Sequence, residues 1–163
     1  MKRQLTLVKP PRPTRLPDLS LHDGIVAPRV LDALRVASDQ PKRVGIRHSL
    51  VDDLAVGARS PEGTKDVDFL VGDEAFAHHG GGLVTIAPGV PAQVGDIAVD
   101  PISIAPGEKH LDAAVASPTM SRGIPIAPIE VLCYLKLKSP RRNDSADIVD
   151  WVRGGVATSP VRK

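Results

Sequence analysis

The stretch SLVDDLAVGARSPEGTKDVDFLV, residues 49–71, decides the predicted fold. It begins at the end of an apolar, β-branched segment, residues 43–51, which is typical of a short strand. Residues 53–60 start with an acid and are typical of a short helix, after which a proline and a glycine interrupt the chain. In residues 65–72 acidic and apolar side chains alternate, which predicts a second strand. The order strand, helix, strand indicates a sheet with helices packed on it.

The segments on either side extend this pattern. Helical spacing of apolar residues predicts helices over 28–38, 108–116, 128–138 and 143–152, and apolar runs predict strands over 83–88, 96–105 and 123–128. We therefore expect an α/β fold with a mixed β-sheet flanked by helices, a layered architecture that is common in small domains. Pro101 interrupts its strand and is expected at an edge or bulge. His78 and His79 precede three glycines and are expected in a loop.

The chain length of 163 residues fits one domain. Residues 1–22 contain four prolines and an excess of basic side chains, which predicts an extended Pro-rich basic arm followed by a domain over 23–163. Such an arm can contact a phosphate backbone or an acidic partner, although a solvated tail is the commoner role of such a segment.

Composition limits the function classes. A net charge of +2 gives no strong field for nucleic acid, and an aromatic fraction of 2% makes base-stacking platforms unexpected. The single cysteine, Cys133, cannot form an internal disulfide, which favours a reducing compartment. No apolar run approaches the ~18 residues of a membrane span and no apolar leader is visible, so we expect no membrane association and a cytoplasmic location.

Two acids in the second predicted strand are the first candidates for chemistry. Asp66 and Asp68 are two residues apart, so in a strand their side chains share one face about 6–7 Å apart. Such a pair suits a hard divalent cation, Mg²⁺ or Mn²⁺. Asp100 is another acid in an apolar strand and would provide a third carboxylate of a two-metal site. From spacing alone, a strand with one solvated face is the favoured alternative.

Residues 49–71, with a strand, a turn into a helix and then Thr64-Lys65-Asp66-Val67-Asp68, resemble the signature of the nucleotidyltransferase superfamily that includes DNA polymerase β. Within it they are most similar to small bacterial proteins related to the AbiEii abortive-infection toxins. In the sequence AVDPISIA, Asp100 stands where that family has its third carboxylate. Residues 125–152 are similar to the family's C-terminal pair of helices.

The resemblance implies a metal-dependent enzyme that moves a nucleotide from an NTP to a hydroxyl of RNA, a protein or a small molecule. It implies catalytic and metal-binding roles, with Mg²⁺ or Mn²⁺, for Asp66, Asp68 and Asp100. It implies nucleotide binding by Thr64, Lys65 and Lys136. Lys136 lies on an apolar helical stripe, so its ammonium either extends to the surface or faces an inner polar site.

The sequence departs from the family at the turn after the first predicted strand and again before Thr64, where Glu62 and Gly63 replace an arginine that is common in the family. Asp52 and Asp53 stand where the family has a glycine turn that lets the backbone approach a triphosphate. Two carboxylates there repel phosphate. The alternative is therefore a catalytically impaired nucleotidyltransferase-fold protein that acts by binding a partner protein, as in a toxin–antitoxin pair.

Overall fold

The computed structural model describes residues 16–59 and 63–138. Most of the predicted basic arm and the helix predicted over 143–152 lie outside the described residues. The site residues predicted from the sequence all lie inside them.

The described residues form four α-helices and eight strands. The helices are α1 (Pro28–Arg43), α2 (Asp52–Gly57), α3 (Lys109–Ala116) and α4 (Ile129–Lys138). The strands are β1 (His48–Val51), β2 (Val67–Val71), β3 (Phe76–His78), β4 (Val84–Ile86), β5 (Gln93–Val94), β6 (Ile97–Ser103), β7 (Thr119–Ser121) and β8 (Ile124–Ile126). Two short 3-10 helices cover Leu19–His22 and Asp73–Ala75.

Six of these strands form one mixed sheet in the order β5-β6-β2-β1-β8-β7. Strand β2 runs antiparallel to β1 and parallel to β6, and β1 runs parallel to β8. Strands β3 and β4 form a separate hairpin. The prediction of an α/β fold with a mixed sheet flanked by helices is confirmed.

The two faces of the sheet carry different helices. Helix α1 packs on the face to which Phe69 and Val99 point, because both lie beside Ala37 of α1. Helices α2 and α3 pack on β1 and β2, and the Ser49 hydroxyl donates to the Ala114 carbonyl of α3. Neighbouring residues of a strand point to opposite faces. Asp68, next to Phe69, therefore points to the face that carries α2 and α3.

Pro101 occupies a position that suits its missing N–H. Strand β5 pairs only with Ile97 and Ala98 of β6, so at Pro101 the outer side of β6 has no partner strand among residues 16–59 and 63–138. On its inner side Pro101 lies opposite Phe69 of β2. The expected edge-like environment of this proline is confirmed.

The segments that contain His22 and His78 differ from the sequence-based expectation. Residues Leu19–His22 belong to the predicted arm, yet they form a 3-10 helix in which Leu19 and His22 are buried. The His22 Nε2 atom is hydrogen-bonded to the Leu54 carbonyl oxygen of α2 at 2.8 Å, which holds this segment against the core. His78 was expected in a loop but lies in β3, where it pairs with Val84.

Candidate functional site

Three neighbouring strands bring acidic residues to one end of the sheet. Asp68 of β2 lies opposite Asp100 of β6 in the parallel register, so the two side chains share a face. On its other side Asp68 lies opposite Val51, the last residue of β1, and the chain continues directly into Asp52 of α2. The carboxylates at this end are called the acidic cluster; its members are Asp52, Asp53, Asp66, Asp68 and Asp100.

Asp68 feels the charge of the whole cluster. Burial raises the pKa of its carboxyl first, and repulsion by Asp52, Asp100, Asp66 and Asp53 raises it further, to about 7. Desolvation and nearby like charges both disfavour a carboxylate. Near neutral pH this carboxyl is therefore divided between its neutral and charged forms, which is unusual for an aspartate.

Of the predicted motif, Asp66 and Asp68 belong to the acidic cluster, whereas Thr64 and Lys65 do not. Asp66 directly precedes β2 and is exposed, and its backbone N–H donates to Thr64 Oγ1 at 3.4 Å. Thr64 thus stabilises the local turn at this point. Lys65 is exposed and forms no ion pair with any residue that the structure describes.

The donor set fits a hard divalent cation in chemistry and charge. All five groups of the cluster are carboxylates, and besides burial their mutual repulsion raises the pKa of Asp68, a repulsion that a bound cation would relieve. As they stand, no three His, Cys, Asp or Glu side chains within residues 16–59 and 63–138 form a group that could hold a metal ion. Binding would therefore need rotation of carboxylates such as Asp66 and Asp100, which are exposed.

Lys136 reaches the cluster from α4. It is only 8% exposed, and its Nζ lies 2.7 Å from Asp52 Oδ1 and 3.2 Å from Asp53 Oδ1. Of the two alternatives for this lysine, the structure shows the inner polar environment, because the ammonium pairs with carboxylates instead of extending to the surface. The helix-to-helix contact of α2 with α4 holds the two acids and the lysine together.

The backbone at Asp52 has the conformation expected of a glycine. Its φ of 59° lies in the left-handed region, which L residues other than Asn and Asp seldom adopt. The turn from β1 into α2 thus has a backbone conformation that favours glycine, although the residue there is an aspartate. The two acids were singled out in the sequence, but their pairing with Lys136 was not predicted. The available signal was a lysine on an apolar stripe together with an unexplained acid pair.

A separate charged region lies beyond the other end of β2. Glu74 accepts from Arg47, whose Nε lies 2.8 Å from Glu74 Oε1 and whose Nη2 lies 3.1 Å from Oε2. A cavity of about 260 Å³ nearby is lined in part by Asp73, Glu108 and Asp112. None of its lining residues belongs to the acidic cluster.

Comparison with known protein families and with curated proteins gives no match for this chain. None of the helices in the described ranges has the length and apolar character needed to cross a membrane.

Proposed function

We propose that this chain is a metal-dependent nucleotidyltransferase that moves a nucleotide from an NTP to a hydroxyl acceptor on RNA, a protein or a small molecule, with pyrophosphate as the leaving group. The observation that carries the proposal is the register of β2 and β6, which aligns Asp68 with Asp100 beside the turn from β1 into α2. The left-handed backbone at Asp52 adds support, since this is the turn whose shape the resemblance requires.

Asp66, Asp68 and Asp100 are the residues that would hold Mg²⁺ or Mn²⁺. When bound, such an ion neutralises phosphate charge and makes an acceptor hydroxyl more acidic. Asp100 is exposed on the face shared with Asp68, and we assign to its carboxylate the acceptance of the hydroxyl proton. Thr64 and Lys65 come just before β2, at the end of the sheet that carries the acidic cluster, and would contact the nucleotide.

Lys136 is assigned to the phosphates of the nucleotide. A compact ammonium suits this role because it neutralises charge without a fixed hydrogen-bonding plane. In the structure it is paired with Asp52 and Asp53, so phosphate binding would require exchange of these partners.

That pairing favours a second candidate function. If the Asp52 and Asp53 carboxylates stay on Lys136, the phosphate side of the site remains closed and the fold acts by binding alone. The acidic cluster, with its five carboxylates, would then bind a positively charged surface of a partner protein, as in one half of a toxin–antitoxin pair.

Calorimetric titration separates the two candidates. The native protein, Asp68→Asn and Asp39→Asn are titrated with Mn²⁺ and then with each of the four NTPs in the presence of Mn²⁺. Asp39 is an exposed acid of α1, so its variant removes the same charge at a distance from the cluster. The transferase proposal predicts that one NTP binds only with Mn²⁺ and that Asp68→Asn alone loses this binding.

The remaining outcomes are equally informative. Mn²⁺ binding without any NTP binding supports the second candidate. Absence of Mn²⁺ binding to the native protein rejects the metal-dependent proposal. Where an NTP does bind, incubation with its labelled form and RNA, protein or small-molecule acceptors identifies the acceptor class.

A further inference from the structure

The hairpin of β3 and β4 exposes a run of apolar side chains. Leu83, Val84 and Ile86 are 62%, 50% and 44% exposed. The other exposed large hydrophobic side chains of the described residues lie singly along the chain. Single exposed apolar side chains are normal on a protein surface, whereas a contiguous group of them marks an interaction surface.

Strand β4 also has a free edge. It pairs with β3, and no other strand within residues 16–59 and 63–138 lies beside it. The His79 N–H donates to the Leu83 carbonyl at 2.8 Å, so the backbone of Leu83 faces β3. Hydrogen-bonded and non-hydrogen-bonded pairs alternate along an antiparallel ladder. The N–H and C=O groups of Val84 and Ile86 therefore point away from β3, toward the free edge.

This edge lacks the residues that usually prevent a free strand from pairing. Soluble proteins place charged residues or proline on such edges. Residues 80–95 contain no Asp, Glu, Lys or Arg, in a chain of which 25% is charged, and β4 contains no proline. Asp73 and Glu74, by contrast, come just before β3. Two copies of β4 can thus approach each other without charge repulsion, and a charged partner gains nothing there.

The register of β4 suits pairing with a second copy of itself. When two β4 strands run antiparallel about a two-fold axis at Thr85, Val84 of each copy lies opposite Ile86 of the other. These are the residues whose polar backbone groups point outward, so each pair can exchange both N–H···O bonds. Val84 and Ile86 share one face of the strand, so the apolar side chains of both copies meet on that face.

We infer that β4 is the surface through which two copies of this chain associate, edge to edge. The contact is isologous, because each copy supplies the groups that the other leaves unpaired. It joins the two hairpins into one sheet, which stabilises strands that are marginal as an isolated pair. Strand β4 has only three residues, so the interface is small and the association is reversible and dependent on protein concentration. The acidic cluster takes no part in it.

Sedimentation velocity of the full chain, over a 100-fold range of concentration, tests the association. We expect the native protein to pass from monomer to dimer within this range. Ile86→Lys should weaken the dimer at least 10-fold, because the two ammonium groups would stand diagonally across the paired strands and repel. Met120→Lys is the matched control, since Met120 is 54% exposed on the edge strand β7 and its variant gains the same charge. It should change the dimer affinity less than 2-fold.

Cysteine cross-linking tests the register. The two Thr85 residues would face each other as a non-hydrogen-bonded pair, close enough for a disulfide. Residue 83 would lie opposite residue 87 of the other copy, which places the two residues 83 about 13 Å apart, beyond the reach of a disulfide. Mild oxidation should therefore cross-link Thr85→Cys but not Leu83→Cys. The native protein is the blank, because Cys133 is only 2% exposed.

Three results would overturn the inference. A native protein that stays monomeric over the whole range leaves the edge of β4 to an extended segment of a different protein. Equal weakening of the dimer by Met120→Lys would mean that added charge, and not the edge of β4, controls association. Cross-linking of Leu83→Cys as fast as Thr85→Cys would reflect random collision, since Leu83 is well exposed. Circular dichroism of each variant shows that its fold is retained.

Discussion

The two ends of β2 carry acids of opposite behaviour. At the start of the strand, burial and four neighbouring carboxylates raise the pKa of Asp68 to about 7. Just beyond its end, hydrogen bonds from the Arg47 guanidinium lower the pKa of Glu74 to about 2. The two carboxyls are only six residues apart, so the strand itself does not set their protonation. The balance of charges around each of them does.

The difference follows from how the charges at each end of β2 are paired. Glu74 has its own guanidinium partner, and Arg47 also approaches Asp112 at 3.5 Å. At the other end, five carboxylates share a region in which Lys136 is held by Asp52 and Asp53. An acid cluster with more negative than positive charge stores repulsion, and perturbed carboxyls of this kind concentrate at functional sites.

The largest expected effect comes from removing the buried cation. Lys136→Met should lower the free energy of unfolding by about 3 kcal/mol, because it removes both charged contacts of the buried ammonium, at about 1.5 kcal/mol each. The measurement is urea denaturation at neutral pH. Arg47→Met is the control from the other end of β2, where the cation is 43% exposed instead of 9%, and it should cost about 1 kcal/mol.

The expected difference in stability between the two ends of β2 would be contradicted if Lys136→Met proved as stable as the native protein. That result would mean that Asp52 and Asp53 turn out to solvent at no cost, since both are more than one third exposed. The two ends of β2 would then differ in charge but not in their contribution to folding.

A smaller effect, of opposite sign, is expected from Asp68→Asn in the metal-free protein. A carboxyl whose pKa is raised from 3.8 to about 7 by folding favours its neutral form in the folded state. Its unfavourable contribution is absent below pH 3.8, grows as the pH rises toward 7 and is complete above 7. Asparagine mimics the neutral form, so the variant should be more stable than the native protein at pH 8.

The expected gain is about 2 kcal/mol at pH 8, since a pKa raised from 3.8 to about 7 corresponds to about 4 kcal/mol and partial exposure of Asp68 reduces it. Near pH 4 the gain should disappear. Urea denaturation at both pH values checks this, with Asp39→Asn as the control for a lost surface charge. Equal stability of the Asp68→Asn and native proteins at pH 8 would show that the cluster does not strain the fold.

Much of the fold could be predicted from the sequence because its signals are local. Alternation around Asp68 gave β2, and apolar spacing before Lys138 gave α4, as the structure confirms. Helix α1 runs five residues beyond its predicted end and includes Pro41, which lacks the N–H that would bond the Ala37 carbonyl but is buried on the same side of the helix as Ala37. Strand β7 was missed, since Thr119–Ser121 is too short to show a period.

The site was less accessible to sequence reasoning. The strands that carry Asp68 and Asp100 were predicted, but their shared register depends on sheet order, which spacing does not encode. The partners of Lys136 lie 83 and 84 residues earlier in the chain, so no local pattern relates them. Such contacts depend on the packing of α2 against α4, which is a tertiary property.

The smallest expected effect lies at the paired end of β2. Glu74→Gln should lower the free energy of unfolding by about 1 kcal/mol at pH 7, since the side chains of Arg47 and Glu74 are 43% and 32% exposed and solvent screens the pair. The pKa of Glu74 is lowered from 4.5 to about 2 by folding, so its stabilising contribution is complete above pH 4.5 and is lost as the pH falls through 2. Urea denaturation between pH 7 and 2 should therefore show the native and variant curves converging at the acid end. A difference that stays constant with pH would mean that Glu74 acts through packing, and the contrast with Asp68 would then not be one of charge.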